Sequence, residues 1–200
     1  MVGSMAVLRA AVADGNLAIV RKLISNKHTV QAVDPDTGWP ILFYAIKYSK
    51  TEIIQYLLEH EYKDTIQRDF KGNTALIIAC RYKNIQAFNL YLRRFPQSFF
   101  LENNFGETPI FVAAQNGLRQ IVSSLLDLGI DVNIVDKEGS TLPGWTPSDW
   151  AYSSDIKDYL NECVNALSEK KPIKLRSDST KSSTASPYYT PPKLDLRSLF

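Results

Sequence analysis

The chain has almost no excess charge of either sign. Its 200 residues carry 23 basic and 21 acidic side chains, a formal net charge of +2. Dedicated nucleic-acid binders show a strong basic excess, so that class is set aside. Cysteine is nearly missing, with Cys80 and Cys163 the whole complement. Two thiols make no disulfide framework and fit a reducing compartment. Histidine is as scarce, with only His28 and His60. Neither cysteine lies near a histidine in the sequence, so neither a thiol–imidazole pair nor a zinc-ligand spacing is present. There is no Gly-rich phosphate loop. The expectation is a non-catalytic chain without metal or cofactor. Apolar runs stop at six residues, as at Ala75 to Cys80, too short to cross a membrane as a helix. The opening Met-Val-Gly-Ser-Met reads as neither a secretory signal nor a myristoylation start. A cytoplasmic location follows, with the nucleus left open.

What charge there is lies unevenly. Residues 169–200 hold seven basic and three acidic side chains, net +4, which leaves residues 1–168 at net −2. The body is slightly acidic and the tail basic. At 44% hydrophobic residues, the chain has enough apolar material for a sizeable core.

That apolar material recurs with a period. Ala11, Ala45, Ala79 and Ala113 are each 34 residues apart, and Ala151 follows after 38. Eight and nine residues beyond each alanine stands a pair: Ile19-Val20, Ile53-Ile54, Ala87-Phe88, Ile121-Val122 and Tyr159-Leu160. A second pair follows four residues later: Leu23-Ile24, Leu57-Leu58, Tyr91-Leu92, Leu125-Leu126 and Cys163-Val164. Spacing of three and four is one stripe of a helix. Between the helical stretches lie turn signals: Pro35-Asp-Thr-Gly38, Asp69-Phe-Lys-Gly72, Asn103-Asn-Phe-Gly106 and Asp136-Lys-Glu-Gly139. Glycine supplies positive φ, and a short Asp or Asn side chain caps the turn. A Thr then caps the next helix, with Pro at its first position where present, as in Thr108-Pro109. One helix pair cannot bury its apolar face alone, so the pairs stack into a solenoid.

The pattern resembles the ankyrin repeat. The fullest copy runs from Asn103 to Ile134, NNFGETPIFVAAQNGLRQIVSSLLDLGIDVNI. The family's Thr-Pro-Leu-His box becomes Pro-Ile-Leu-Phe at 40–43 and Thr-Ala-Leu-Ile at 74–77, and no copy keeps its His. The family's Gly at the end of the first helix survives as Gly15 and Gly117, with Ser49 and Lys83 in its place elsewhere. The resemblance implies an all-α ankyrin-repeat solenoid of five helix pairs with short hairpin-like turns, over residues 5–171. Its repeats run about 5–34, 35–68, 69–102, 103–135 and 136–171. The last helix, roughly Asp155 to Lys171 with Ser154 as cap, presents a polar outer face and closes the stack. The fifth repeat carries an insertion of about five residues between Gly139 and Thr146. The first repeat opens on Met5-Ala-Val-Leu8, an apolar end that is either frayed or a second contact surface.

The resemblance also implies where partners bind: the turn tips and first helices, which line the concave side. Carried over position by position, the candidate partner-binding residues are Trp39, Lys47, Tyr48, Phe70, Lys71, Arg81, Tyr82, Phe105 and Trp145. Aromatic residues and arginine anchor interfaces because they bury much area at small entropic cost. Lys47, Lys71 and Arg81 make the groove basic, so the matching partner segment carries acidic residues beside apolar anchors. Some of these aromatics have a plainer alternative use, packing on the neighbouring turn.

Leu8-Arg9, Asp14-Gly-Asn-Leu17, Thr37-Gly-Trp39, Leu42-x-Tyr44-Ala45, Phe70-Lys-Gly-Asn-Thr74 and Arg94-Phe-Pro96 are similar to the ankyrin-bearing accessory subunits of fungal TOR complex 2. That family has a much longer Ser-rich tail. The resemblance implies an adaptor or scaffold subunit, monomeric by itself, with TOR complex 2 components as protein partners, no nucleic acid and no membrane insertion. A weak peripheral association at the plasma membrane is consistent with the basic stretch Lys170 to Arg176. The alternative is a regulatory chaperone or inhibitor that occupies a partner's surface transiently.

Residues 172–200 are expected to be a disordered Ser/Pro-rich basic tail. Of residues 177–192, 11 of 16 are Ser, Thr or Pro. Ser186-Pro187 and Thr190-Pro191 are candidate phosphorylation sites. The final Lys193-Leu-Asp-Leu-Arg-Ser-Leu-Phe200 returns to apolar composition, as a short docking motif would. Deleting residues 177–200 is expected to leave the calorimetric melting temperature unchanged; a marked drop would show that the tail packs on the body.

Overall fold

The computed structural model describes residues 2–24, 32–62, 66–130, 146–149, 151 and 153–168. Of the expected five helix pairs, four lie within the described residues, with one helix of the fifth. The first repeat pairs α1 (Val2–Asp14) with α2 (Leu17–Ile24). The second pairs α3 (Ile41–Lys47) with α4 (Thr51–His60). The third pairs α5 (Ala75–Arg81) with α6 (Ile85–Arg94), and a short 3₁₀ helix, Pro96–Phe100, follows. The fourth pairs α7 (Pro109–Gln115) with α8 (Arg119–Asp127). In the fifth, a turn at 147–149 precedes α9 (Ser154–Ser168). First helices stack in the order α1, α3, α5, α7, and second helices in the order α2, α4, α6.

The first helices of the second, third and fourth repeats are short and apolar all round. Every residue from Ile41 to Ile46, Ala75 to Cys80 and Pro109 to Ala114 is buried. A seven-residue helix does not hold itself together in water. Each is held by its second helix on one side and by the first helices before and after it. The second helices are one-faced: α4 buries Ile53, Ile54, Leu57 and Leu58, and α6 buries Ala87, Phe88 and Tyr91. Ile19, at the matching position of the first repeat, is exposed.

The periodic alanines close the first helices. The amides of Asn16, Lys50, Asn84 and Leu118 donate to the carbonyls of Ala11, Ala45, Ala79 and Ala113, at 2.9 Å each. This six-to-one closure needs a left-handed residue just before each donor. Gly15 and Gly117 supply it at φ 76° and 74°. Ser49 and Lys83 supply it too, both at φ 54°, although they carry a Cβ. The geometry of the stack overrides local preference at these two positions. Asn84 adds a second lock: its Oδ1 accepts from Ala87 N at 2.9 Å and its Nδ2 donates to Ile46 O of the preceding repeat at 2.9 Å.

Two local expectations are corrected. Thr74 and Thr108 flank their helices in extended conformation, but neither hydroxyl caps. Both hydroxyls are buried without a partner. Three residues on stand Ile77 and Phe111, whose side chains offer no polar group to complete a capping box. Pro109 does take the first helical position. The last helix includes Ser154, and the first amide bond runs from Lys157 N to Ser153 O, so Ser153 is the flanking residue. Against α8, Tyr159 Oη lies 3.3 Å from Ser123 Oγ and Arg119 stacks 4.7 Å over the Tyr159 ring. Thr146 and Asp149 close the preceding turn through bonds of 2.9 and 2.7 Å to Asp149 Oδ2. The turn Asp136–Gly139, the insertion, the basic stretch and the tail with Ser186 and Thr190 lie outside the described residues.

A Gly72→Ala change is expected to destabilise by about 2–4 kcal/mol, because φ is +74° and an added Cβ falls 2.9 Å from the Asn104 backbone nitrogen. Lys83→Gly should do the reverse, stabilising by about 1 kcal/mol and raising the melting temperature by roughly 2–4 °C. Thermal denaturation of both variants checks the pair.

Candidate protein-binding face

The turns between repeats are built alike. Asp34 Oδ1 accepts from the amides of Asp36 and Thr37 at 3.0 and 3.2 Å. Asp69 Oδ1 accepts from Lys71 and Asn73 at 2.9 and 2.8 Å. Asn103 Oδ1 accepts from Phe105 and Glu107, both at 3.0 Å. The second-repeat turn therefore starts at Asp34, one residue before the Pro35 signal. Successive tips are tied by backbone: Phe70 N donates to Thr37 O at 3.2 Å and Asn104 N to Lys71 O at 2.9 Å. The Phe70 ring lies over Gly38, where a Cβ would come within 2.5 Å of it.

Beneath the tips runs one chain of side-chain hydrogen bonds. Trp39 Nε1 donates to Asp69 Oδ2 at 3.1 Å. Asn73 Nδ2 donates to the same oxygen at 2.8 Å. Asn103 Nδ2 donates to Asn73 Oδ1 at 2.9 Å and to Glu107 Oε2 at 2.7 Å. Arg81 Nη2 reaches the same Glu107 oxygen at 3.4 Å. Asp69, Asn73 and Asn103 are buried, and buried polar groups of this kind are retained where every one is satisfied.

A ring cluster sits at the second and third repeats. Trp39 meets Tyr44 at 5.1 Å and Tyr82 edge-on at 5.9 Å, between ring centroids. Lys47 Nζ lies 5.8, 5.6 and 5.8 Å from the ring centres of Trp39, Tyr48 and Tyr82. These are cation–π distances. Tyr44 Oη donates to Asp34 Oδ2 at 2.7 Å, and Arg9 Nη1 reaches that oxygen at 3.3 Å. Burial alone would raise the Asp34 carboxyl; the Tyr44 hydroxyl and the amides of Asp36 and Thr37 outweigh it and hold the group below the ordinary carboxylate value. Burial, then the bond to Asp34, pushes the Tyr44 phenol up.

Of the residues expected at the face, Trp39, Lys47, Tyr48 and Tyr82 come together. Phe70 stands apart on its turn, 62% exposed despite its contact with Gly38. Lys71 is exposed at the same tip and Phe105 is half-buried at the next. Arg81 points to Glu107 and is neutralised there, so the groove is less basic than its composition suggests. Trp145 lies outside the described residues. The sequence reading missed Arg9, Asp34 and Tyr44 as a group. Their partners are 25 and 10 residues apart, so only the fold brings them together. Cys80 is fully buried and burial pushes its thiol up, as for an unreactive structural thiol. His60 is exposed and stacks on Tyr56 at 4.7 Å. Among the described residues no helix is long and apolar enough to cross a membrane.

A family model for ankyrin repeats in three copies matches residues 8–97, and a single-repeat model matches residues 105–137. Together they cover more than half of the chain, which belongs to the ankyrin-repeat family, a protein-interaction scaffold. Among curated proteins it is similar to the target of rapamycin complex 2 subunit AVO2 of Saccharomyces cerevisiae, 32% identical over 158 residues, which are 78% of this chain and 37% of that protein. It is 30% identical over 113 residues to the glycerophosphocholine phosphodiesterase GDE1 of Candida albicans, 56% of this chain and 9% of that one. It is 26% identical over 132 residues to the human neurogenic locus notch homolog protein 2, 66% of this chain and 5% of that one. The chain thus spans about a third of the length of the first and under a tenth of the others.

Two outcomes follow for this face. Asn73→Ala removes one of the two side-chain partners of both Asp69 Oδ2 and Asn103 Nδ2, which keep Trp39 Nε1 and Glu107 Oε2, and is expected to cost about 1–2 kcal/mol in urea unfolding. Because the native Asp34 value is lowered, its contribution to stability is complete above about pH 4 and is lost as pH falls through the native value. Asp34→Asn is therefore expected to be less stable at neutral pH and to lose less stability than the parent on acidification below pH 4. Parallel slopes for the two proteins in that window would contradict it.

Proposed function

We propose that this chain is a non-catalytic adaptor or scaffold subunit of TOR complex 2 that holds a protein partner on the turn tips and first-helix ends of repeats two to four. The ankyrin body is taken as residues 5–171, monomeric by itself, in the cytoplasm and peripheral at the plasma membrane. The observation that carries the binding face is the cluster of Trp39, Lys47, Tyr48 and Tyr82. It joins side chains from two repeats into one partly exposed patch over a satisfied polar floor. Such rigid aromatic anchors are what interface centres use. Phe70, Lys71, Arg81 and Phe105 extend the patch along the tips. The complex is suggested by the similarity to AVO2, which runs through the repeats themselves.

The test is affinity purification of the full chain from a yeast host, with mass spectrometry of what comes with it. TOR complex 2 components at fixed stoichiometry are expected, and Tyr82→Ser is expected to lose them while keeping the parent melting temperature. A partner set without any TOR kinase component overturns the assignment to the complex. Retention by the Tyr82→Ser protein overturns the face.

A further inference from the structure

The chemistry of the segment that occupies this face follows from which of its charges remain unspent. Around the ring cluster, Asp34 is taken by Tyr44, Arg9 and two backbone amides. Asp69 is taken by Trp39, Asn73 and two backbone amides. Glu107 is taken by Asn103 and Arg81. Those bonds consume two cations, Arg9 and Arg81, with their carboxylates. Asp36 and Lys71 are exposed at neighbouring tips and offset one another in sign. Lys47 is different. It is exposed, and among the described residues its ammonium is in no carboxylate ion pair, while three rings fix it from the sides. Ring faces attract a cation without neutralising it, so the charge remains available. Holding a long lysine in place beforehand also lowers the ordering cost of pairing it.

We propose that Lys47 is a pre-positioned receptor for a carboxylate, and that the occupant of the face is an extended segment of a partner protein. That segment sets an Asp or Glu against Lys47 and an apolar side chain against the exposed ring of Tyr82. The proposal rests on the binding face described above and names the class of sequence it selects. The incoming carboxylate gains a charge-assisted bond beside apolar surface, where such bonds are stronger than in open water.

A phage library of random linear peptides, panned on the full chain, tests it. The selected peptides are expected to carry Asp or Glu beside an apolar residue. Their affinity, measured by calorimetry, is expected to fall about tenfold on Lys47→Gln and to weaken with added salt. Panning on Lys47→Glu is expected to lose the acidic preference. Selection of basic or uncharged peptides by the parent protein overturns the proposal, as does full affinity for Lys47→Gln. If selected peptides bind Tyr82→Ser as tightly as the parent, the face itself is wrong. If they lose binding to Tyr82→Ser but not to Lys47→Gln, only the role of Lys47 falls.

Discussion

The face of this protein hangs on one line of hydrogen bonds, buried at its centre, from Trp39 through Asp69, Asn73, Asn103 and Glu107 to Arg81. Trp39, Asn73 and Glu107 hold one position of successive repeats, Asp69 and Asn103 another, and Arg81 a helix end. Two of them, Asn73 and Asn103, join neighbouring repeats side chain to side chain. The turns could not lie this close without it, because their tips would bring polar groups together with no partner. Gly38 and Gly72 complete the arrangement by leaving room for Phe70 and Asn104 of the next turn. Backbone bonds between tips then fix the spacing of everything mounted on them.

From that spacing comes the character of the candidate site. The first helices of the second, third and fourth repeats are buried over six consecutive residues. Their last residues escape: Lys47 and Tyr48, Arg81 and Tyr82, Gln115 and Asn116. The proposed binding positions therefore fall in two rows, one at helix ends and one at turn tips. In the second and third repeats these rows converge on Trp39 and Tyr82, which touch edge to face. The similarity to a subunit of a TOR complex and the concentration of anchors at these repeats describe the same kind of molecule, a carrier of contacts.

Much of this was legible before any coordinates. The alanine period marked the closure of each first helix, since those alanines accept the final amide bond of the helix. The apolar pairs marked the buried or half-buried faces, except Ile19, which is exposed. Trp39, Lys47, Tyr48 and Tyr82 were picked through the ankyrin resemblance and do meet. Register alone did not show that Arg81 is neutralised by Glu107, that Thr74 and Thr108 leave their hydroxyls unpartnered, or that Arg9 and Tyr44 share the Asp34 carboxylate. Each of those depends on a side chain from a different repeat or turn.

The sequence by itself determined the repeat, its length and the helix faces. These follow from periodicity, and periodicity is a local property of the chain. The tertiary structure alone decided which polar groups pair and which charges stay unspent, because pairing needs distance and orientation. It also decided that Ser49 and Lys83 take the left-handed backbone that glycine favours, at φ 54° each. There the packing of the stack outweighs the preference of the residue.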